Sequence, residues 1–237
     1  MDKKEKILSA KKQLSVTWKC CVTDFESDKN IFIETQDIFF QMVTFGNNVV
    51  IRADKKMAEW CFENFELTPA GFIMDSDNFY LINEKLRSFD KKLGEENIRY
   101  LHLLPEKTVE KPLNFNYKRY DQDTVNELYK YKGFENSLEY NGTEVLAIAA
   151  FEREKMAAVG GVDNHFGGLL WQIGIDTVSE YRNYGLGVYL VKELALEIEK
   201  QGKVSCYTTW SANIASTRLA LGAGFSPVWL EYSSEDL

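Results

Sequence analysis

Only two histidines occur in 237 residues, His102 and His165, too few and too scattered for a zinc site. The four cysteines provide no framework either. Cys20 and Cys21 are adjacent, while Cys61 and Cys206 stand alone, so there is neither a C-x-x-C pair nor a secreted disulfide pattern. Cys206 lies in a strand-like run and is expected as a buried thiol. No metal is expected. No apolar run approaches the roughly 20 residues that a membrane span needs. The opening Met1-Asp-Lys-Lys-Glu-Lys-Ile7 is charged and lacks the apolar stretch of a signal peptide. The expectation is a cytoplasmic protein that does not engage membranes. Basic charge is also scarce: 28 Lys and Arg against 36 Asp and Glu leave a net charge of −8, with no basic stripe to neutralise phosphates, which argues against nucleic-acid binding.

What is present is the material of a folded core. Apolar residues make up 45% and aromatics 14%, the composition of a globular chain, and the length allows one large domain or two small ones. Pro105-Glu-Lys-Thr-Val-Glu-Lys-Pro112 brackets charge between two prolines and marks the expected linker. The expected division is therefore 1–114 and 115–237. In the first half, 31–33, 49–51 and 100–104 predict strands; 55–65 and 83–93 predict helices by apolar spacing. No chemical motif occurs there. The similar size of the halves suggests a worn copy of the second fold, but Phe45-Gly46-Asn47-Asn48 is read more simply as a hairpin turn.

The second half is more regular. Asp121 or Asp123 is expected to cap a short helix carrying Val125, Leu128 and Tyr129. Strands are predicted at 145–151, 156–162 and 169–175, with turns at 152–155 and 163–167. A helix at 186–200 carries Leu190, Val191, Leu194 and Ile198 on one stripe and stops at Gly202. A strand at 204–210, a helix at 213–222 and a strand at 227–232 follow. The fold class is thus mixed α/β: a largely antiparallel sheet flanked by helices, preceded by a smaller α/β domain.

The chemistry concentrates in Arg182-Asn183-Tyr184-Gly185-Leu186-Gly187, between the strand ending near 175 and the helix from 186. A strand that turns through glycines into a helix presents unpaired N–H groups at the helix's positive end, a site for phosphate or pyrophosphate. Glycine at 185 and 187 permits close backbone approach, and Arg182 adds a charged donor. After the next strand comes Asn213-Ile-Ala-Ser216-Thr-Arg-Leu219, ending in Gly224-Phe225.

Together, R-x-x-G-x-G and N-x-x-S-x-x-L with its later G-F resemble the GNAT superfamily of acyl-CoA-dependent N-acyltransferases, over roughly residues 115 to 237. Glu180-Tyr181-Arg182 and Trp210-Ser-Ala-Asn213 are most similar to the glycine N-acyltransferase-like subgroup. The resemblance implies acetyl-CoA as cosubstrate. Arg182, Asn183, Tyr184, Gly185, Leu186, Gly187 and Val188 would hold its diphosphate, Ile175 and Thr177 would pair with the pantetheine arm, and Asn213 and Ser216 would meet the arm from the other side. Asn213 is equally a plain helix cap.

The implied reaction is direct attack of an amine on the thioester, with the acceptor a small molecule or amino acid. Two positions depart from the family's usual pattern. Trp171 stands where many relatives carry a Glu or His base, and Ala220 where many carry a proton-donating Tyr. Glu135 and Tyr207 are the candidate replacements; each also has an ordinary role, as a solvated carboxylate and a half-buried aromatic. Trp171, Trp210 and Trp229 either line an acceptor pocket or fill the core. A CoA-binding module without turnover is the alternative, and a homodimer is left open.

Overall fold

The computed structural model describes residues 1–164 and 168–237. Much of the turn expected at 163–167 lies outside them, as does His165. Helix α1 (Lys3–Trp18) and a 3-10 turn (Val22–Glu26) precede strands β1 (Ile31–Glu34), β2 (Phe40–Thr44) and β3 (Val49–Ala53). Helices α2 (Lys55–Phe65), α3 (Ala70–Ile73) and α4 (Ser76–Arg87) follow, then β4 (Lys91–Leu93), β5 (Asn97–His102) and β6 (Asn116–Asp121). A 3-10 turn (Val125–Lys130) leads to β7 (Glu144–Glu152), β8 (Lys155–Asp163) and β9 (Leu170–Thr177). Another 3-10 turn (Ser179–Tyr181), α5 (Leu186–Lys200), β10 (Val204–Thr209), α6 (Ile214–Gly222) and β11 (Phe225–Asp236) end the chain. The class is mixed α and β, with mixed sheet flanked by helices.

Two compact units share the chain. Unit 1 is Met1–Gln13, Tyr100–Thr208 and Asn213–Pro227; unit 2 is Leu14–Arg99, Thr209–Ala212 and Val228–Leu237. The stretch between Pro105 and Pro112, expected as the linker, lies within unit 1, and the chain passes between units at Arg99 and Tyr100. Proline and charge mark an extended segment, but they do not say which body it packs on.

Unit 1 orders its strands β5-β10-β9-β8-β7-β6. β10 runs parallel to β9, and the β9-β8-β7-β6 pairs are antiparallel. The 144–163 hairpin is tight, with Arg153 at φ +55° in its turn. Helix α5 lies on one face of β7, β8 and β9, burying Leu186, Leu190, Val191, Leu194, Ala195 and Ile198 at helical spacing. It ends in a Schellman arrangement. Gly202 sits at φ +72° and its N–H reaches Glu199 O at 3.0 Å, while the Lys203 N–H reaches Ile198 O at 3.2 Å. On the other face Tyr120, Val125, Leu128, Phe134 and Leu138 pack against Ala147, Ala149, Phe151, Met156 and Val159. The short helix expected after Asp121 is the 3-10 turn; the Asp121 carboxylate accepts the Thr124 N–H at 3.1 Å.

Charged groups are also buried in unit 1. Lys6 and Lys192 are almost fully covered and His102 completely so. His102 Nδ1 lies 2.6 Å from Glu199 Oε1 and its Nε2 lies 3.1 Å from Lys192 Nζ. Lys6 Nζ donates to Glu199 Oε1 and to His102 O, each at 2.6 Å. Lys192 Nζ also donates to Pro105 O at 2.7 Å. Every cation in the cluster has an acceptor, as burial demands.

In unit 2, β1 pairs parallel with β3, β2 pairs antiparallel with both β3 and β11, and β4 joins β11. Helices α2 and α4 cover the core through Met57, Cys61, Phe65, Ile82 and Leu86. The helix expected at 83–93 is displaced. Asp75 caps it by accepting the Asn78 N–H at 3.0 Å, it ends at Arg87, and Lys91–Leu93 is a strand. Asp90 at φ +58° turns the chain, and the Asn83 side chain takes the Leu93 N–H at 3.0 Å. Leu93 continued the apolar spacing, but on a different element. The Phe45–Asn48 turn does close a hairpin between β2 and β3.

Candidate functional site

Strand β9 is the organising element of the site. On one edge it pairs with β8 from Gln172 to Thr177; on the other it pairs with β10 only from Leu170 to Ile173. The last matched pair is Ile173 and Tyr207. Beyond it, the β9 backbone from Gly174 to Thr177 leaves its parallel neighbour with a strand edge open, the condition under which another extended chain can add by main-chain hydrogen bonds.

At the far end of β9 the chain turns into α5. Asn183 and Gly185 both take left-handed backbone angles, φ +67° and +79°. Gly185 is the N-cap and has no side-chain cap bond; the first intrahelical bond is from the Tyr189 N–H to Gly185 O at 3.0 Å. The amides ahead of Tyr189 therefore have no partner inside the helix, and they gather at its positive end. Arg182 Nε points back to Thr177 O at 3.4 Å, a long bond on an exposed side chain.

The two glycines have different jobs. A Cβ on Gly185 would meet only Pro112 Cγ, at 3.8 Å, so its need for glycine is the positive φ. A Cβ on Gly187 would lie 2.7 Å from Leu219 Cδ1, with Thr177 Oγ1 and Ile175 Cγ1 at 3.6 and 3.7 Å. Gly187 is there because α5 passes close to α6 and β9. Leu186 contributes backbone alone, since its side chain is in the core, whereas Tyr184 is 61% exposed. Val188 faces α6: a Cβ on Gly222 would sit 3.3 Å from its methyls.

Asn213 is the N-cap of α6, its Oδ1 accepting the Ser216 N–H at 3.1 Å. Ser216 Oγ is 2.8 Å from Tyr207 Oη. The structure thus brings Asn213, Ser216 and Tyr207 into one hydrogen-bonded line from helix to strand. Burial, only partly offset by the Ser216 bond, pushes the Tyr207 phenol above its ordinary pKa, so it is protonated at neutral pH.

Glu135 is not in that line. Strand alternation puts Ile173, Ile175 and Thr177 on the α5 face and Gln172, Gly174 and Asp176 on the opposite one. Tyr207 is paired with Ile173 and shares its face, whereas Glu135 lines a small cavity of about 60 Å³ on the other face with Gln172, Gly174 and Gly161. Glu135 Oε1 accepts the Gly133 N–H at 3.1 Å. The two candidate proton carriers therefore lie on opposite sides of the sheet. Trp171 is on the α5 side, with Lys203 Nζ 5.5 Å from its ring centre, and Ala220 is fully buried.

The three tryptophans do not share a body. Trp229 belongs to unit 2 and stacks on Phe45 at 5.5 Å and 24°; Trp210 is also in unit 2, and Trp171 in unit 1. The sequence reading, which set all three beside strands of one domain, missed that the chain changes bodies within residues 209–212 and again after Pro227. It also missed Asp176, whose carboxylate accepts from Asn136 and Ser137. Nothing in an isolated Ile-Asp-Thr run signals bonds to residues forty positions away. No helix among the described residues is long and apolar enough to cross a membrane.

No protein-family model and no curated protein sequence matches the chain. Solved structures do resemble it in fold. One is a GNAT-family protein, described as an acetyltransferase, from Novosphingobium aromaticivorans: 13% identity, TM-score 0.47, covering 61% of this chain and 66% of that one. Another is a GNAT-family acetyltransferase from Colwellia psychrerythraea: 12% identity, TM-score 0.44, covering 67% and 62%. A third, from Salmonella typhimurium, was solved with its cofactor acetyl-CoA: 14% identity, TM-score 0.37, covering 53% and 95%. The matched part spans less than two thirds of the length of the first two.

Proposed function

We propose that unit 1 is an acyl-CoA-dependent N-acyltransferase of the GNAT kind, moving an acetyl group from acetyl-CoA to the amine of a small molecule or amino acid. The observation that carries this reading is the opening of β9 from β10 beside the bare N-terminus of α5. An extended pantetheine can add to the free β9 edge at Ile175 and Thr177, and the amides from Asn183 to Val188 suit its diphosphate. Arg182 supplies the charge-assisted donor. Tyr184 is exposed, and its ring packs edge-on against Phe115 at 6.3 Å. The subgroup likeness of Glu180-Tyr181-Arg182 points to the glycine N-acyltransferase-like branch; in the structure Tyr181 Oη donates to Glu152 Oε2 at 2.9 Å, so that tyrosine anchors the loop. A cytoplasmic setting fits four cysteines that form no disulfide with one another.

In the reaction the amine nitrogen attacks the thioester carbon, the C–S bond breaks, and an amide and a thiolate form. The nitrogen sheds a proton and the sulfur takes one. Fixing both reactants removes much of the entropic barrier, and a β9 backbone N–H near Ile175 can meet the charge that develops on the carbonyl oxygen. Tyr207, protonated and linked to Ser216, is the candidate donor on the α5 face; Glu135 is the candidate acceptor on the other. Their separation suits a site that donor and acceptor enter from opposite faces.

The test is thermal unfolding with acetyl-CoA and CoA. A hundredfold excess over the dissociation constant should stabilise the protein by about 2.7 kcal/mol. Unchanged melting and no calorimetric heat would remove this reading. Stabilisation without thiol release against amino acids, polyamines and aminoglycosides would leave a CoA-binding module that does not turn over.

A further inference from the structure

The loop after Phe134 is held onto the sheet by one carboxylate. Asp176 Oδ2 accepts the N–H groups of Asn136 and Ser137 at 2.9 and 3.0 Å and the Ser137 hydroxyl at 3.0 Å; Asp176 Oδ1 accepts Asn136 Nδ2 at 2.7 Å. Two glycines make room beneath. A Cβ on Gly174 would collide with the carbonyl oxygen of Asn136, and one on Gly161 with that of Ser137. Gly161 and Gly174 are direct partners across β8 and β9, so the loop rests on one bare spot of the sheet. Three residues far from the loop in sequence thus specify its place. Beside it lies the 60 Å³ cavity, walled by Glu135, Asn136, Ser137 and Glu139 of the loop and by Gln172 and Gly174 of β9.

Asp176 sits between Ile175 and Thr177, the pair assigned above to the donor arm. Its side chain points to the opposite face from theirs. One two-residue step of β9 therefore ties the donor edge to the loop that walls the cavity. We infer that Asp176 is a positioning residue: it fixes the 134–139 loop as the wall of the acceptor subsite, in register with the thioester. This rests on the acyl-transfer reading, and it adds which residue aligns the acceptor wall with the donor edge. A wall displaced by an ångström would cost acceptor alignment while sparing the donor edge.

The experiment uses the full chain and three variants, Asp176→Asn, Asn136→Asp and the double exchange. In Asp176→Asn the new amide faces the Asn136 amide donor, and one carboxylate bond is lost. The double exchange restores an amide facing a carboxylate with roles reversed. Hydrogen exchange of the peptide covering 133–140, acetyl-CoA affinity by calorimetry, and thiol release with the best amine of a panel (amino acids, putrescine, spermidine, kanamycin) are read together. Expected are faster exchange at 133–140 in Asp176→Asn, acetyl-CoA affinity within about threefold, and an acceptor KM raised tenfold or more. The double exchange should recover at least half of the KM effect on a logarithmic scale, which general loss of folding would not. Wild-type protein that fails to bind acetyl-CoA overturns the acyl-transfer reading. Binding with an acceptor KM unchanged in Asp176→Asn overturns the positioning role alone, as does a KM effect the double exchange leaves in full. Wild-type protein that binds acetyl-CoA but releases thiol with no amine removes the acceptor subsite and overturns it too.

Discussion

Gly187 on α5 and Leu219 on α6 meet so closely that a Cβ on the glycine would stand 2.7 Å from the leucine's Cδ1. The contact sets how near α5 comes to α6, while Thr177 and Ile175 of β9 stand at ordinary contact distance, 3.6 and 3.7 Å, from the same Cβ position. Gly187→Val is expected to destabilise unit 1 by about 1–3 kcal/mol, as overpacking does. Leu219→Ala in the same chain should recover part of the CoA affinity by making room. Gly185→Val, with space around it but a positive φ, should cost about 1–2 kcal/mol from backbone strain and gain nothing from Leu219→Ala. Urea unfolding and calorimetric titration with CoA on each variant check both, with Trp171→Phe as the control that keeps CoA binding.

Acid should loosen unit 1 through Glu199. Burial pushes its carboxyl up, but hydrogen bonds from His102 and Lys6 outweigh that and hold it below the ordinary 4.5. A carboxyl with a depressed folded pKa contributes stability above its unfolded value, and that contribution is lost as pH falls through the folded one. Stability should therefore begin to decline below about pH 4.5. Glu199→Gln should be less stable at neutral pH and should flatten that acid limb. Denaturant midpoints between pH 3 and 7 for both proteins measure it; parallel curves would show that the acid transition belongs to other groups.

Glu144, more deeply buried than Glu199, is a carboxylate with a different role. It is 1% exposed and accepts from the Tyr129 hydroxyl and the N–H groups of Glu139 and Tyr140. Glu144→Ala leaves those donors without an acceptor and should cost about 1–3 kcal/mol, or more because the lost group is charged. Glu144→Gln keeps one acceptor oxygen and should cost less. A smaller effect for Ala than for Gln in chemical unfolding would contradict this account.

Proton transfer provides the fourth test. With Glu135 and Tyr207 on opposite faces and neither placed by a second catalytic partner, Glu135→Gln and Tyr207→Phe should each slow turnover by less than about a hundredfold. The rate should climb with pH towards the acceptor amine's own pKa. A sharp inflection well below the amine's pKa, abolished in one variant together with most activity, would identify a dedicated base and overturn the expectation.

Much of unit 1 was legible in the sequence because its signals are local. The 186–200 helix, its apolar stripe and its glycine stop appear as expected, since helical spacing and a left-handed C-terminal turn are written in adjacent residues. The strands at 144–152 and 155–163 hold uninterrupted apolar runs at 145–151 and 156–162, and most of these residues are buried on both faces. Helix α1 was missed although its capping box is visible: Asp2 accepts the Glu5 N–H at 2.8 Å and Glu5 the Asp2 N–H at 2.7 Å. The apolar residues after it are sparse, so helical spacing alone does not mark the segment.

By itself the sequence determined the order of elements in the second half and the glycine-bearing turn at 182–187 that leads into a helix, because each depends on neighbours a few residues apart. Tertiary structure decided the rest. Only the fold shows at which pair β10 leaves β9, Ile173 and Tyr207, that Gly187 serves helix packing while Gly185 serves backbone conformation, and that Trp229 belongs to a different body from Trp171. Only the fold brings Asp176 to Asn136 and Lys6 to Glu199. Such contacts join residues 40 and 193 positions apart. Their partners are chosen by how packed strands and helices meet, and local propensity carries no record of that choice.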